Sequence, residues 1–116
     1  MNLGLRDRDV LEKIVQLCGE ADEMLALCGG TKEGWEKDKT CRNAIVMCTI
    51  WIGALAERLS EKARLETDGI AWDAICRMQN MPEDDEFNID YEKIWTIVTE
   101  DLPRLQGALE GYLERI

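Results

Sequence analysis

The sequence predicts an all-α fold, an up-and-down bundle of four to five helices formed as a single domain over residues 1–116. Three observations carry that expectation. Apolar residues recur at three- and four-residue steps through several stretches, the mark of helices with one buried stripe. No stretch alternates apolar and polar residues as a half-buried strand would. An apolar content of 46% with only 9 Gly and 2 Pro belongs to a folded globular chain. A chain of 116 residues buries roughly two thirds of its unfolded surface without staples.

The elements follow in order. Val10, Leu11, Ile14, Leu17, Cys18, Ala21, Leu25 and Cys28 make one apolar stripe on a long first helix, closed by Gly29 and Gly30. The next stretch, GGTKEGWEKDKT, reads as a loop anchored on the core by Trp35. A second helix over about residues 40–59 carries AIVMCTIWIGALA, apolar on nearly every side. Such a helix belongs at the centre of a bundle or in a subunit interface. Gly53 inside it costs up to ~1 kcal/mol relative to Ala, which predicts close approach by another backbone.

Residues 60–69 are polar. IAWDAICRMQN then gives a short third helix with Ile70, Ala71, Ala74, Ile75 and Met78 as its apolar positions. The fourth pattern runs through Ile94, Trp95, Val98, Leu102, Leu105, Leu109 and Leu113. Pro103 lacks an amide donor and predicts a kink or restart in that helix. Trp51, Trp72 and Trp95 fall on apolar stripes and read as core or interface anchors rather than stacking platforms for bases.

The net charge of −10 repels phosphates unless basic residues gather on one face. Arg6, Arg8 and Lys13 are interleaved with acids and make no such patch. The five cysteines form no CxxC pair and there are 0 histidines, which argues against a zinc site. Reduced, buried thiols are expected instead. Neither a metal nor another cofactor is expected. The first residues mix charge with hydrophobe, unlike a signal peptide, and the longest apolar run, residues 44–56, is too short for a bilayer. The expected location is cytoplasmic, away from membranes.

One stretch invites a chemical reading: RMQNMPEDDEF, with four consecutive acids, Glu83, Asp84, Asp85 and Glu86, behind Pro82. With Asp90 these acids offer hard oxygen ligands suited to Mg²⁺ or Ca²⁺, but they lack the D-x-[DN]-x-[DN]-G pattern of a calcium loop. A solvated, helix-initiating turn capped by Asn80 is the simpler reading, since acids are favoured at a helix start.

The blocks RDRDVLEKI, WEKD then RNAI, IGALAERLS, AWDAI, MQN and DYEKIWTIVTEDLPRL, in this order and spacing, resemble the HepT-like family of the HEPN superfamily. The resemblance covers the chain from Arg6 into the last helix. It implies a helical bundle that forms homodimers and partners a minimal nucleotidyltransferase of the MntA type in toxin–antitoxin modules. It also implies a metal-independent ribonuclease with the motif R-x-x-x-x-H-x-Y, whose Tyr the partner silences by AMP transfer.

Carried onto this chain, the motif Arg falls at Gln79, its following Asn at Asn80, the His at Asp84 and the Tyr at Glu86. Only the Asn is kept. The acid that usually follows the helix-two Gly is Ala54.

Metal-free RNA cleavage needs a base for the ribose 2′-proton, an acid for the departing oxygen, and donors for the charge growing on phosphate. His suits the proton transfers because its pKa lies near neutrality, and Arg suits the phosphate through its planar fork. A neutral amide and a carboxylate replace them here. Crowding among the four acids raises carboxyl pKa values, yet sets negative charge where a phosphate must sit. The expectation is therefore a HepT-like protein without ribonuclease activity, acting as a dimeric partner-binding protein. The alternative is an active ribonuclease toxin that binds RNA through a rebuilt site, with Arg77 supplying the cation. On a helix Arg77 points about 200° away from position 79. Tyr91 is the nearest replacement for the lost AMP acceptor and reads instead as a packing residue at a helix start.

Overall fold

The computed structural model describes residues 5–67, 69–80 and 89–115, and those residues contain helices and turns but no strand. Helix α1, Leu5–Leu27, buries the expected stripe, with Leu11, Ile14, Leu17 and Ala21 all fully inaccessible. It stops at a glycine cap. The Gly30 amide donates to the Leu25 carbonyl and the Gly29 amide to that of Ala26, both at 3.0 Å. Gly29 has φ 99° and Gly30 φ 69°, a left-handed turn that most side chains resist.

The stretch expected to be loop contains a short helix, α2, Lys32–Lys37. One turn and a half shows no periodicity, so only its caps betray it. Thr31 Oγ1 accepts from the Gly34 amide at 3.1 Å. Asp38 then ends α2 and begins α3, Lys39–Glu57, its Oδ1 accepting from the Cys41 amide at 2.9 Å. Trp35 anchors this connection as expected. It is 1% exposed and packs against Trp95 and Tyr91, with ring centroids 5.8 and 6.5 Å away.

Helix α3 packs against α1 and buries Ile45, Val46, Thr49, Ile52 and Ala56. Only part of its apolar surface is covered, for Met47 remains 61% and Trp51 44% exposed. The polar stretch after it also holds a helix, α4, Glu61–Glu66. Ser60 caps α4 by accepting from the Ala63 amide, while donating its own hydroxyl to Asp7 Oδ2 at 2.7 Å. A polar segment thus becomes helical through its cap and a tie to α1.

Helix α5, Trp72–Arg77, runs into a 3-10 turn, Met78–Asn80. The expected apolar face of this helix needs correcting. Trp72 and Met78 are buried, Ile70 and Ile75 half-buried, and Ala71 and Ala74 exposed. The Trp72 indole sets the orientation by donating to buried Thr67 Oγ1 at 2.8 Å. A large side chain with a satisfied polar atom outweighs two alanines in deciding which face turns inward.

The last pattern is divided as Pro103 predicts. Helix α6, Tyr91–Thr96, passes into a π-helical turn, Ile97–Asp101, before α7, Leu102–Leu113. Pro103 lies in the first turn of α7, where the missing amide donor costs little. The Leu102 amide reaches five residues back to the Ile97 carbonyl, and Thr99 Oγ1 donates to the Trp95 carbonyl at 2.7 Å. Leu102, Leu105 and Leu109 then close the core against α1. No described helix is long and apolar enough to cross a membrane.

Candidate functional site

The motif positions begin where α5 and its 3-10 turn cross α3. Gly53 makes the crossing. A Cβ there would lie 2.6 Å from the Gln79 backbone nitrogen, 3.0 Å from the Ile75 carbonyl oxygen and 3.2 Å from that of Cys76. The close backbone approach expected from Gly53 is therefore present, and its partner is the segment bearing the motif.

With its backbone held on α3, Gln79 turns its side chain along that helix. Its Nε2 donates to Glu57 Oε2 at 2.7 Å. Glu57 was not among the residues singled out from sequence. It lies four residues after Gly53, one helical turn further along the same side, and that spacing was the available signal. Asn80 is exposed at the end of the 3-10 turn. Pro82, Glu83, Asp84, Asp85 and Glu86 lie outside the described residues. The helix-initiating turn and the carboxylate metal loop are thus not described. Asp90 caps α6 by accepting from the Lys93 amide at 3.1 Å.

Arg77 goes elsewhere. It lines an open groove of about 700 Å³ between α5 and the π turn with α7, together with Met78, Lys93, Asp101, Arg104 and Leu105. Gln79 does not line that groove. The two-residue offset therefore separates Arg77 from position 79, as helix geometry requires.

Tyr91 is half-buried beside Trp35. Its hydroxyl is 2.9 Å from Asn43 Oδ1 and the Arg42 guanidinium lies 4.6 Å from its ring centroid. These contacts are those of a packing residue.

What the crossing can do chemically is limited by its donors. A Gln amide is a neutral donor, and here it satisfies a carboxylate. A phosphate brought to this point would meet Glu57 as well.

The family model for HepT-like ribonucleases matches residues 17–111. The chain belongs to the HepT-like ribonuclease family. The matched span includes Gly53, Glu57, Gln79 and the positions of Asp84 and Glu86. This HepT-like chain is also 25% identical over 108 residues to a protein of Caldanaerobacter subterraneus subsp. tengcongensis whose name describes it as a candidate RNase, covering 93% of this chain and 95% of the relative. No solved structure matches the chain.

Proposed function

We propose that this HepT-like protein lacks the ribonuclease activity its family is named for. It acts in the cytoplasm as a dimeric helical protein that binds a minimal nucleotidyltransferase of the MntA type. One observation carries the reading: Gln79, at the position of the motif Arg, donates to the Glu57 carboxylate at 2.7 Å. That position offers no positive charge for an RNA phosphate, and its neutral donor is already engaged with an anion. The sequence contains 0 histidines to take over the proton transfers.

Two further features support the contact role. Met47 and Trp51 leave apolar surface on α3 uncovered, at 61% and 44% exposure, where a second copy has something to bury. Tyr91, the nearest substitute for the missing AMP acceptor at position 86, has its hydroxyl bonded to Asn43. The nucleotidyltransferase therefore acts here as a binding partner, not as a modifier of position 86.

Incubation of the purified protein with tRNA and total RNA tests the proposal. Intact RNA is expected. Cleavage that disappears on Gln79→Ala or Asp84→Ala substitution would overturn it. Exposure of the complex to ATP should leave Tyr91 at its unmodified mass.

A second reading, an active ribonuclease toxin with a rebuilt site, is favoured by the three cations Arg77, Lys93 and Arg104 along the groove. Ectopic expression separates the two. Growth arrest relieved by Arg77→Ala supports the rebuilt site, and growth unaffected by the unmodified protein removes it.

A further inference from the structure

The thiols of Cys28 and Cys41 face each other across the α1–α3 connection with their sulfurs 2.8 Å apart. This is closer than two unbonded sulfurs normally approach, and less than about 1 Å beyond the S–S bond length. Within α3, Cys48 lies seven residues along from Cys41, too far for a bridge within one helix. The partner instead comes from the turn that follows α1.

Both sulfurs are positioned by backbone. Cys28 Sγ donates to the Leu25 carbonyl and Cys41 Sγ to the Met24 carbonyl, each at 3.2 Å, so the last turn of α1 holds both. Asp38 fixes the Cys41 end through its cap at 2.9 Å. Gly34 fixes the other, because a Cβ at residue 34 would collide with the Cys28 carbonyl oxygen. The chain between the cysteines carries Trp35, which is 1% exposed and resists sliding. The pair is therefore set by four separate constraints, independent of the motif positions at the far end of α3.

We propose that Cys28 and Cys41 form a reversible intramolecular disulfide when the protein meets a hydroperoxide. The half-buried Cys28 is the sulfur that an oxidant reaches, whereas Cys41 is 4% exposed and is the resolving thiol. Burial, with the neighbouring Cys28 sulfur, pushes the Cys41 thiol up to about 12, which keeps it protonated until the bond forms.

In the first step Cys28 loses its proton to solvent, and its sulfur attacks one peroxide oxygen. The O–O bond breaks, leaving a sulfenic acid on Cys28 and a hydroxide or alkoxide that takes a proton back from solvent and departs as water or alcohol. In the second step the Cys41 sulfur attacks the Cys28 sulfur. The departing hydroxide takes the Cys41 proton and leaves as water. Two thiols are oxidised by two electrons, one hydroperoxide is reduced, and a thiol reductant reverses the result.

The bond would close the loop that carries α2 and Trp35 and fasten the end of α1 to the start of α3. Titration of the full chain with hydrogen peroxide, followed by alkylation and peptide mass spectrometry, tests the proposal. The expected product is a chain lighter by two hydrogen atoms and not disulfide-linked to a second copy, with one cross-link joining the Cys28 and Cys41 peptides. Its Tm should rise by roughly 5–10 °C relative to the reduced chain and return on reduction.

Cys28→Ser should abolish the cross-link and the Tm rise, and Cys76→Ser should leave both intact. Cys28 is only half-buried, so its variant keeps the test usable should Cys41→Ser fold poorly. Recovery of Cys28 and Cys41 as separately alkylated or over-oxidised peptides would overturn the proposal. So would a cross-link that pairs either residue with Cys18, Cys48 or Cys76.

Discussion

The two ends of α3 are joined to the rest of the bundle in opposite ways. At its start the connection is filled with bulk: Trp35 is buried against Tyr91 and Trp95, and the thiols of Cys28 and Cys41 meet across the same connection. Near its end, bulk is removed: Gly53 lets the backbone of the 3-10 turn rest on α3, and Gln79 and Glu57 meet at the exposed rim. The first joint gains from burying apolar area, which scales with side-chain size. The second depends on the absence of one carbon, so that peptide groups can approach. The Gln79 side chain takes no part in that approach and lies at the rim, bonded to Glu57.

Breaking the first joint should have the largest effect. Trp35→Ala should cost about 3–5 kcal/mol in equilibrium denaturation, since it empties a site between two aromatic rings. A loss below about 1 kcal/mol would show that the joint does not depend on aromatic bulk.

The same joint should also be the more sensitive to base. The Cys41 thiol is raised from 9.0 to about 12, chiefly by burial. Its contribution is fully present below the unfolded value near 9 and is lost as pH rises towards the folded value. In that window the unfolded chain has released a proton that the folded chain retains. The slope reaches at most ~1.4 kcal/mol per pH unit from this group. Cys41→Ala should therefore make the fall in stability measured by unfolding from pH 8 to 12 shallower, leaving the slope due to Cys18, which burial likewise pushes up to about 12.

At the second joint, Gly53→Ala should cost about 1–3 kcal/mol despite the better helix propensity of Ala, because the added carbon meets backbone atoms that cannot rotate away. A variant as stable as the parent would mean that the 3-10 turn moves freely off α3. The smallest effect belongs to the polar rim. Gln79→Ala should change stability by less than about 1 kcal/mol, as expected for an exposed hydrogen bond to a carboxylate. Together the last two substitutions separate the backbone of the motif segment, which holds the fold, from its side chain, which does not.

Much of this was legible in the residues. The stripe from Val10 to Leu25 gave α1 its buried face, Gly53 announced a backbone crossing, and Pro103 marked the break between α6 and α7. What escaped were the short elements and the pairings. Helices α2 and α4 each have 6 residues, too few for a periodic signal, and are set by Thr31 and Ser60 at their starts. Ala71 and Ala74 looked like core positions because small apolar residues fit either side of a helix. Glu57 could be placed on a helix from sequence, and Cys28, expected on the first helix, falls in the turn just after it; their partners lie 22 and 13 residues away along the chain.

The sequence by itself determined the helical class and the family, because periodicity and residue identity are properties of the chain alone. Only the tertiary structure decided that Gln79 faces Glu57, that Arg77 faces the groove, and that Cys41 meets Cys28. Those facts depend on how helices cross, and a crossing is fixed by packing between distant segments rather than by the pattern within any one of them.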